Sequence, residues 1–196
     1  QARGLESRRN EFRRSFGVLD ERPLILFAGK LIPQKQPLLL LEAYRRVREQ
    51  VPCAMLFVGD GELRPEMERY ILSNAVPDVH ISGFLNQSEI PKAYVASDVF
   101  VLFSTIGETW GLAVNEAMNF GLPVLASDFV GCVGDLVRDY ENGRVVCASD
   151  IDAMKGALEM LVERSAARLE YGLRSQEIVS GWGLVETADG IVDAVV

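Results

Sequence analysis

Short apolar runs alternate with amphipathic stretches along most of this chain. The runs are PLILFAG (23–29), CAMLFVG (53–59), DVHISG (78–83), DVFVLFS (98–104), LPVLASD (122–128) and GRVVCAS (143–149), and each predicts a buried strand. Between them, apolar residues at helical spacing predict helices near 36–50, 62–74, 87–96, 111–120 and, from a sparser pattern, 132–138. Helices near 151–163, 165–179 and 184–195 are predicted after the last run. Strand and helix alternating at this rhythm call for right-handed crossovers and a parallel sheet covered on both faces. The expected fold is therefore α/β, a doubly wound, Rossmann-like parallel sheet. Such sheets bind ligands beyond the carboxyl ends of their strands, so the residues that follow strands carry the functional interest. Ahead of the first strand lies the arginine-rich stretch QARGLESRRNEFRRSFGVLDERP, expected to form a solvated helix.

Composition narrows the classes. With 196 residues, 48% of them hydrophobic, the chain can bury a core as one globular domain. A net charge of -8 argues against a nucleic-acid or anionic-membrane surface, while leaving room for a small anion at a locally positive site. No apolar stretch is long enough to span a bilayer and no secretory leader is visible. Cys53, Cys132 and Cys147 are odd in number and lack metal-ligand spacing, which suits small buried hydrophobes in a reducing, cytoplasmic compartment. The first residue is Gln1, not methionine, so the chain is expected to be part of a longer polypeptide.

Four strand ends carry candidate chemistry. After the first, AGKLIPQKQP places Lys30 and Lys35 in one loop, where two ammonium groups suit a diphosphate; a solvated surface loop is the plainer alternative. After the second, Gly59, Asp60 and Gly61 begin like a dinucleotide fingerprint, but its third glycine position holds Arg64 and the fingerprint fails. A tight turn remains, which either lets backbone approach a ligand or merely starts a helix. After the third, Gly83, Phe84 and Leu85 read equally well as an ordinary turn. The fourth end is GETWGLAVNEA, residues 107 to 117, with Glu108 just outside a short helix and Glu116 within it. The first turn of that helix, at Gly111 and Leu112, leaves unpaired N–H groups that suit a phosphate. Glu116 could then accept from a ribose diol and Glu108 from a sugar hydroxyl. Equally, Glu108 could offset the helix dipole and Glu116 be a half-exposed helical glutamate beside Ala113, Leu112 and Phe120 with no partner. Residue chemistry alone leaves both readings open. His80, in a strand, reads as structural. The Asp150 to Asp152 sequence DID imitates an Asp-x-Asp metal motif but opens a helical pattern, where Ser149 or Asp150 would cap.

A resemblance bears on these alternatives. AGKLIPQKQ, FVGDGEL, ISGF and especially GETWGLAVNEAMNFGLPVLASDFVGCVGDLVRDYENGRVV resemble the donor-binding half of GT-B retaining glycosyltransferases of family four, the glycosyl transferases group 1. The likeness begins near the first strand and covers nearly all of the chain beyond it. It implies a nucleotide-sugar donor held by Gly29, Gly59, Asp60, Gly61, Phe84, Leu85, Gly111, Leu112 and Glu116. Glu116 would take the ribose and the backbone near Phe84 and Leu85 the nucleobase. Glu108, Lys30 and Lys35 would act at the reacting centre, Glu108 on the donor sugar and the lysines on the diphosphate. The family usually has arginine at Lys30, so a planar fork becomes a point charge.

The resemblance further implies front-side displacement with retention and no required metal or other cofactor. It also implies an acceptor domain on the amino-terminal side of the same chain, and peripheral membrane association only through that half. Residues 1–22 would then lead in from the missing domain, 23–180 form the donor domain, and 181–196 a crossing helix. Two alternatives share the fold: a non-catalytic nucleotide-binding module, and a GT-B relative such as a sugar-nucleotide epimerase or a phosphorylase. No strong candidate for a phosphorylase's pyridoxal-phosphate lysine is present.

Overall fold

The computed structural model describes residues 6–183. The helix expected at 184–195, and most of the expected crossing segment, lie outside them. Six parallel strands form one sheet in the order β3-β2-β1-β4-β5-β6. They are β1 Leu24–Ala28, β2 Ala54–Val58, β3 Val79–Gly83, β4 Val99–Leu102, β5 Val124–Ser127 and β6 Gly143–Val146. Every residue of β1, β2, β4 and β5 is buried. Burial on both faces is why these strands read as unbroken apolar runs rather than alternating ones.

Seven helices cover the sheet among the described residues: α1 Arg9–Ser15, α2 Pro37–Arg48, α3 Arg64–Ser73, α4 Ile90–Ala96, α5 Leu112–Asn119, α6 Ile151–Glu163 and α7 Ser165–Ser180. Successive side chains of β1 feed opposite layers, as the pleat requires. Leu24, Leu26 and Ala28 pack with Phe12 of α1, Tyr94 of α4, Val114 and Met118 of α5 and Ile178 of α7. Ile25 and Phe27 pack with Leu40 and Leu41 of α2, Met67 of α3 and Leu158 of α6. The doubly wound architecture expected from the sequence is therefore present, with the strand order of a Rossmann fold.

Four local expectations are corrected. The arginine-rich lead-in is not a solvated helix, because α1 docks on α4 and the Arg13 side chain is only 2% exposed. Its guanidinium donates to the carbonyls of Asp20, Arg22 and Ala96 and to Asp98 Oδ2, and these acceptors make burial of the charge tolerable. Residues 132–138 form turns and isolated bridges, not a helix. Buried Asn142 takes over their backbone groups, donating to the Leu136 carbonyl at 2.9 Å and accepting from the Arg138 N–H at 2.8 Å. Helix α4 starts only at Ile90 because Asn86 Oδ1 accepts from the N–H groups of Ser88 and Glu89, holding 86–89 in a turn. Of the cysteines, Cys53 and Cys132 are buried, with thiols pushed up by burial to about 12 and about 11, whereas Cys147 is exposed.

Two structural readings hold. Asp150 caps α6 through the Ala153 N–H at 2.9 Å. His80 is partly buried in β3 against Gly17, and burial lowers its pKa.

Candidate functional site

The sheet reverses its winding between β1 and β4, and the crevice beyond their carboxyl ends is where such folds take ligands. A cavity of about 500 Å³ opens there. It gathers Gly29 and Lys30 after β1, Gly59, Asp60 and Gly61 after β2, Phe84 and Leu85 after β3, and Ala113 and Glu116 from α5. Eight of the residues singled out in the sequence thus share one pocket, of a size that suits a small organic ligand. A larger groove of about 600 Å³ runs along α7 beside Tyr140, Leu169 and Leu173. Of its charged groups, Arg174 is already paired with Glu141 and Glu177, and Glu170 adds a further carboxylate.

Local geometry explains the glycines. Gly59 has φ +140°, and a Cβ there would sit 1.9 Å from the Gly29 carbonyl oxygen; one on Gly61 would sit 2.4 Å from that of Leu31. The close backbone approach they allow is therefore to the neighbouring loop. Hydrogen bonds from Gly29 N–H to the Val58 carbonyl and from Leu31 N–H to that of Asp60 hold the two loops together. Asp60 is occupied within its own loop, accepting from the Gly61 N–H and pairing with Arg64 at 3.2 Å. Lys30 is exposed at the cavity edge, with no ion pair to any described residue.

Glu116 does have a partner, contrary to the sequence reading. The Tyr94 hydroxyl donates to its Oε2 at 2.7 Å. Tyr94 is 2% exposed, stacked on Phe120 at 5.4 Å between ring centroids. The buried stripe of α5 is Val114, Ala117 and Met118, so Glu116 and Ala113 face the cavity from its flank, and Leu112 is 71% exposed. No spacing within the sequence marks the Tyr94–Glu116 pair, because it is formed by two helices flanking β4.

The turn into α5 lies outside the cavity lining. Gly111 adopts φ +95°, and a Cβ there would press on Val130 and Leu102 at 3.0 and 3.2 Å. The N–H groups of Gly111, Leu112 and Ala113 have no acceptor among the described residues. They present the positive end of the α5 dipole to any anion. Trp110 braces the turn by donating to Asn115 Oδ1 at 2.8 Å and packing on Trp182.

Glu108 and Lys35, expected to meet different parts of a ligand, pair directly with each other. Lys35 ends a 3-10 turn, Pro33–Lys35, whose Gln34 carbonyl accepts from the Thr105 N–H of the β4 loop at 2.9 Å. Burial lowers the Lys35 pKa, and the Glu108 carboxylate opposes that by favouring the charged ammonium.

The sequence itself matches the model for glycosyl transferases group 1 over residues 8–177. The chain belongs to that family. It is 32% identical over 160 residues to the alpha-D-kanosaminyltransferase of Streptomyces kanamyceticus, covering 81% of this chain and 41% of that protein. It is 33% identical over 172 residues to the UDP-Gal:alpha-D-GlcNAc-diphosphoundecaprenol alpha-1,3-galactosyltransferase of Escherichia coli, covering 84% of this chain and 43% of that one. The chain thus spans less than half the length of these relatives. Among solved structures, the fold matches Anabaena HepE in complex with UDP and glucose, with a TM-score of 0.84 at 22% identity over 96% of this chain and 52% of that one. It also matches the C-terminal domain of a group 1 glycosyl transferase from Francisella tularensis, with a TM-score of 0.77 at 22% identity over 88% of this chain and 91% of that one. These neighbours are GT-B glycosyltransferases, and the glycosyltransferase family domain has their fold.

Proposed function

We propose that this chain is the donor-binding half of a retaining glycosyltransferase that uses a nucleoside-diphosphate sugar. The observation that carries this reading is Glu116. It is an acceptor-only carboxylate set on the flank of a largely apolar cavity, one turn beyond the free N–H groups of α5. A nucleoside diphosphate presents matching groups in the same order: a flat base, a ribose diol that donates, and an anion.

In this arrangement the base lies by Phe84 and Leu85 and the diol donates to Glu116. The diphosphate spans Lys30 and the α5 N-terminus. Donor binding draws Lys35 towards the diphosphate, so that Glu108 becomes free to accept from a sugar hydroxyl. The bond between the anomeric carbon and the diphosphate oxygen then breaks. The acceptor oxygen bonds to the same face of that carbon, and its proton passes to the leaving diphosphate. The protein's contribution is to stabilise charge growing on the diphosphate, through fixed dipoles and ammonium groups. The acceptor would be supplied by an amino-terminal half like that of the longer relatives.

UDP in the Anabaena structure and in the name of the Escherichia coli relative makes UDP the first nucleotide to test, with GDP and ADP beside it. One of the three is expected to raise the melting temperature by about 5–10 °C at roughly a hundred times its Kd. Glu116→Gln should remove most of that rise while lowering the apo melting temperature little, since the glutamine oxygen still accepts from Tyr94. Absence of any rise with all three nucleotides overturns the reading.

A further inference from the structure

We propose that Tyr94 is the positioning residue that aims Glu116 at the ribose, and that through it the cavity separates ribonucleotides from 2′-deoxyribonucleotides. The inference rests on the donor-site reading above. Among the described residues Glu116 is held at one oxygen, Oε2, by the Tyr94 hydroxyl at 2.7 Å. The phenol that holds it is itself fixed: Tyr94 is 2% exposed, stacked at 18° on Phe120 and tilted against Phe100 at 6.0 Å. Burial, reinforced by the bond to Glu116, pushes its pKa well above the usual phenol range, so Tyr94 remains a donor at any physiological pH.

A carboxylate accepts at about four lone-pair positions and donates at none. Tyr94 takes one of these and fixes the direction of the rest. What remains suits a pair of neighbouring hydroxyls donating together, as a ribose diol does. A 2′-deoxyribose offers one donor fewer and leaves an acceptor in the cavity unmatched. Without the tyrosine hydroxyl, the glutamate would be free to turn among its rotamers and the penalty for a missing hydroxyl would fade.

Calorimetric titration of the 196-residue chain with UDP, GDP or ADP, whichever binds, and with its 2′-deoxy counterpart reads this directly. The ribonucleotide is expected to bind the wild-type chain about tenfold or more tightly than the deoxy form, the worth of one hydrogen bond to a charged group. Tyr94→Phe keeps the stacked ring and loses one oxygen. It should shrink the ratio to about threefold or less, with binding of the deoxynucleotide nearly unchanged. An unchanged ratio, or equal weakening of both nucleotides, overturns the positioning role.

If Tyr94→Phe folds poorly, Glu116→Leu is compared with the Tyr94→Phe/Glu116→Leu pair, which leaves neither buried partner unpaired. The two should bind the ribonucleotide alike, and a further loss in the pair would give Tyr94 a contact of its own and overturn the proposal. Failure of the wild-type chain to bind any ribonucleotide would instead remove the donor-site reading on which the proposal stands.

Discussion

At the scale of single residues, several charges of the candidate site are already paired within the protein, so a ligand would have to compete with those pairs. Lys35 and Glu108 neutralise each other without donor, and their side chains are only 17% and 24% exposed. Removing the lysine alone strands a half-buried carboxylate, so Lys35→Ala should lower the apo melting temperature as well as weaken nucleoside diphosphate binding. The binding loss should be about tenfold or more for the diphosphate and slight for the nucleoside, because in the proposed function the lost group meets phosphate only. Titration with UDP against uridine, or the corresponding pair for the base that binds, measures this. Equal losses would move Lys35 away from the phosphates.

Eight residues named from the sequence line the cavity because each comes after a strand and the fold requires strand ends to converge, whereas Tyr94, which precedes β4, left no such signal. The contacts within the site were not legible. The Lys35–Glu108 pair joins loops 73 positions apart, and Tyr94–Glu116 joins two helices, so neither leaves a local spacing to read. Arg13 failed in the other direction. It lies in an arginine-rich stretch, which suggested solvent, but its acceptors are mainly backbone carbonyls that any residue could supply.

Among elements, the strands were the most legible because burial on both faces forces continuous apolar composition. Helix α6 was found at its observed bounds because Asp150 supplies a cap immediately before the apolar spacing begins. The stretch 132–138 misled because Cys132, Leu136 and Val137 face the core at helical intervals while the backbone between them is held in turns by Asn142. Elements also set the response to acid. Glu42 on α2 is bound by Arg45 and Arg46 on its own helix and by Tyr70 of α3. Arg45 above all, then Tyr70 and Arg46, holds its carboxyl at about 2. A carboxyl depressed in the folded state contributes stability that is complete above its ordinary pKa, about 4.3, and is lost as pH falls towards the folded value. Partly buried His80, also depressed, acts higher: its contribution is complete above about 6.5 and declines below it. Urea unfolding from pH 7.5 down to 2.5 should therefore show two descending limbs. Glu42→Gln should flatten the lower one and leave the upper intact. A lower limb of unchanged depth would mean that other arginine-held carboxyls, such as Asp20 beside Arg22 and Glu141 beside Arg174, dominate it.

For the whole molecule, the decisive feature is which surface is left open. Ile106 and Phe129 in loops, and Leu112 at the start of α5, each at least half exposed, stand around Glu108, where the proposed chemistry takes place. Apolar side chains gathered at a reacting centre are the ordinary mark of a surface that another domain covers. The aligned part of this chain covers only 41% and 43% of the two relatives named above, which leaves length in them for such a domain. In the proposed function, donor binding needs only the groups already described, whereas transfer needs an acceptor held against the anomeric carbon and water kept away from it. The two functions should therefore separate. This 196-residue chain is expected to bind its nucleoside diphosphate within a few-fold of the affinity of a polypeptide carrying both halves. It should transfer sugar on the order of a thousandfold more slowly, since orientation of a second reactant commonly supplies at least that much. Titration calorimetry and product formation from the matching nucleotide sugar, measured on both polypeptides, test the two halves of the statement. Comparable kcat/KM values would show that this chain positions the acceptor by itself and that the open surface serves something else.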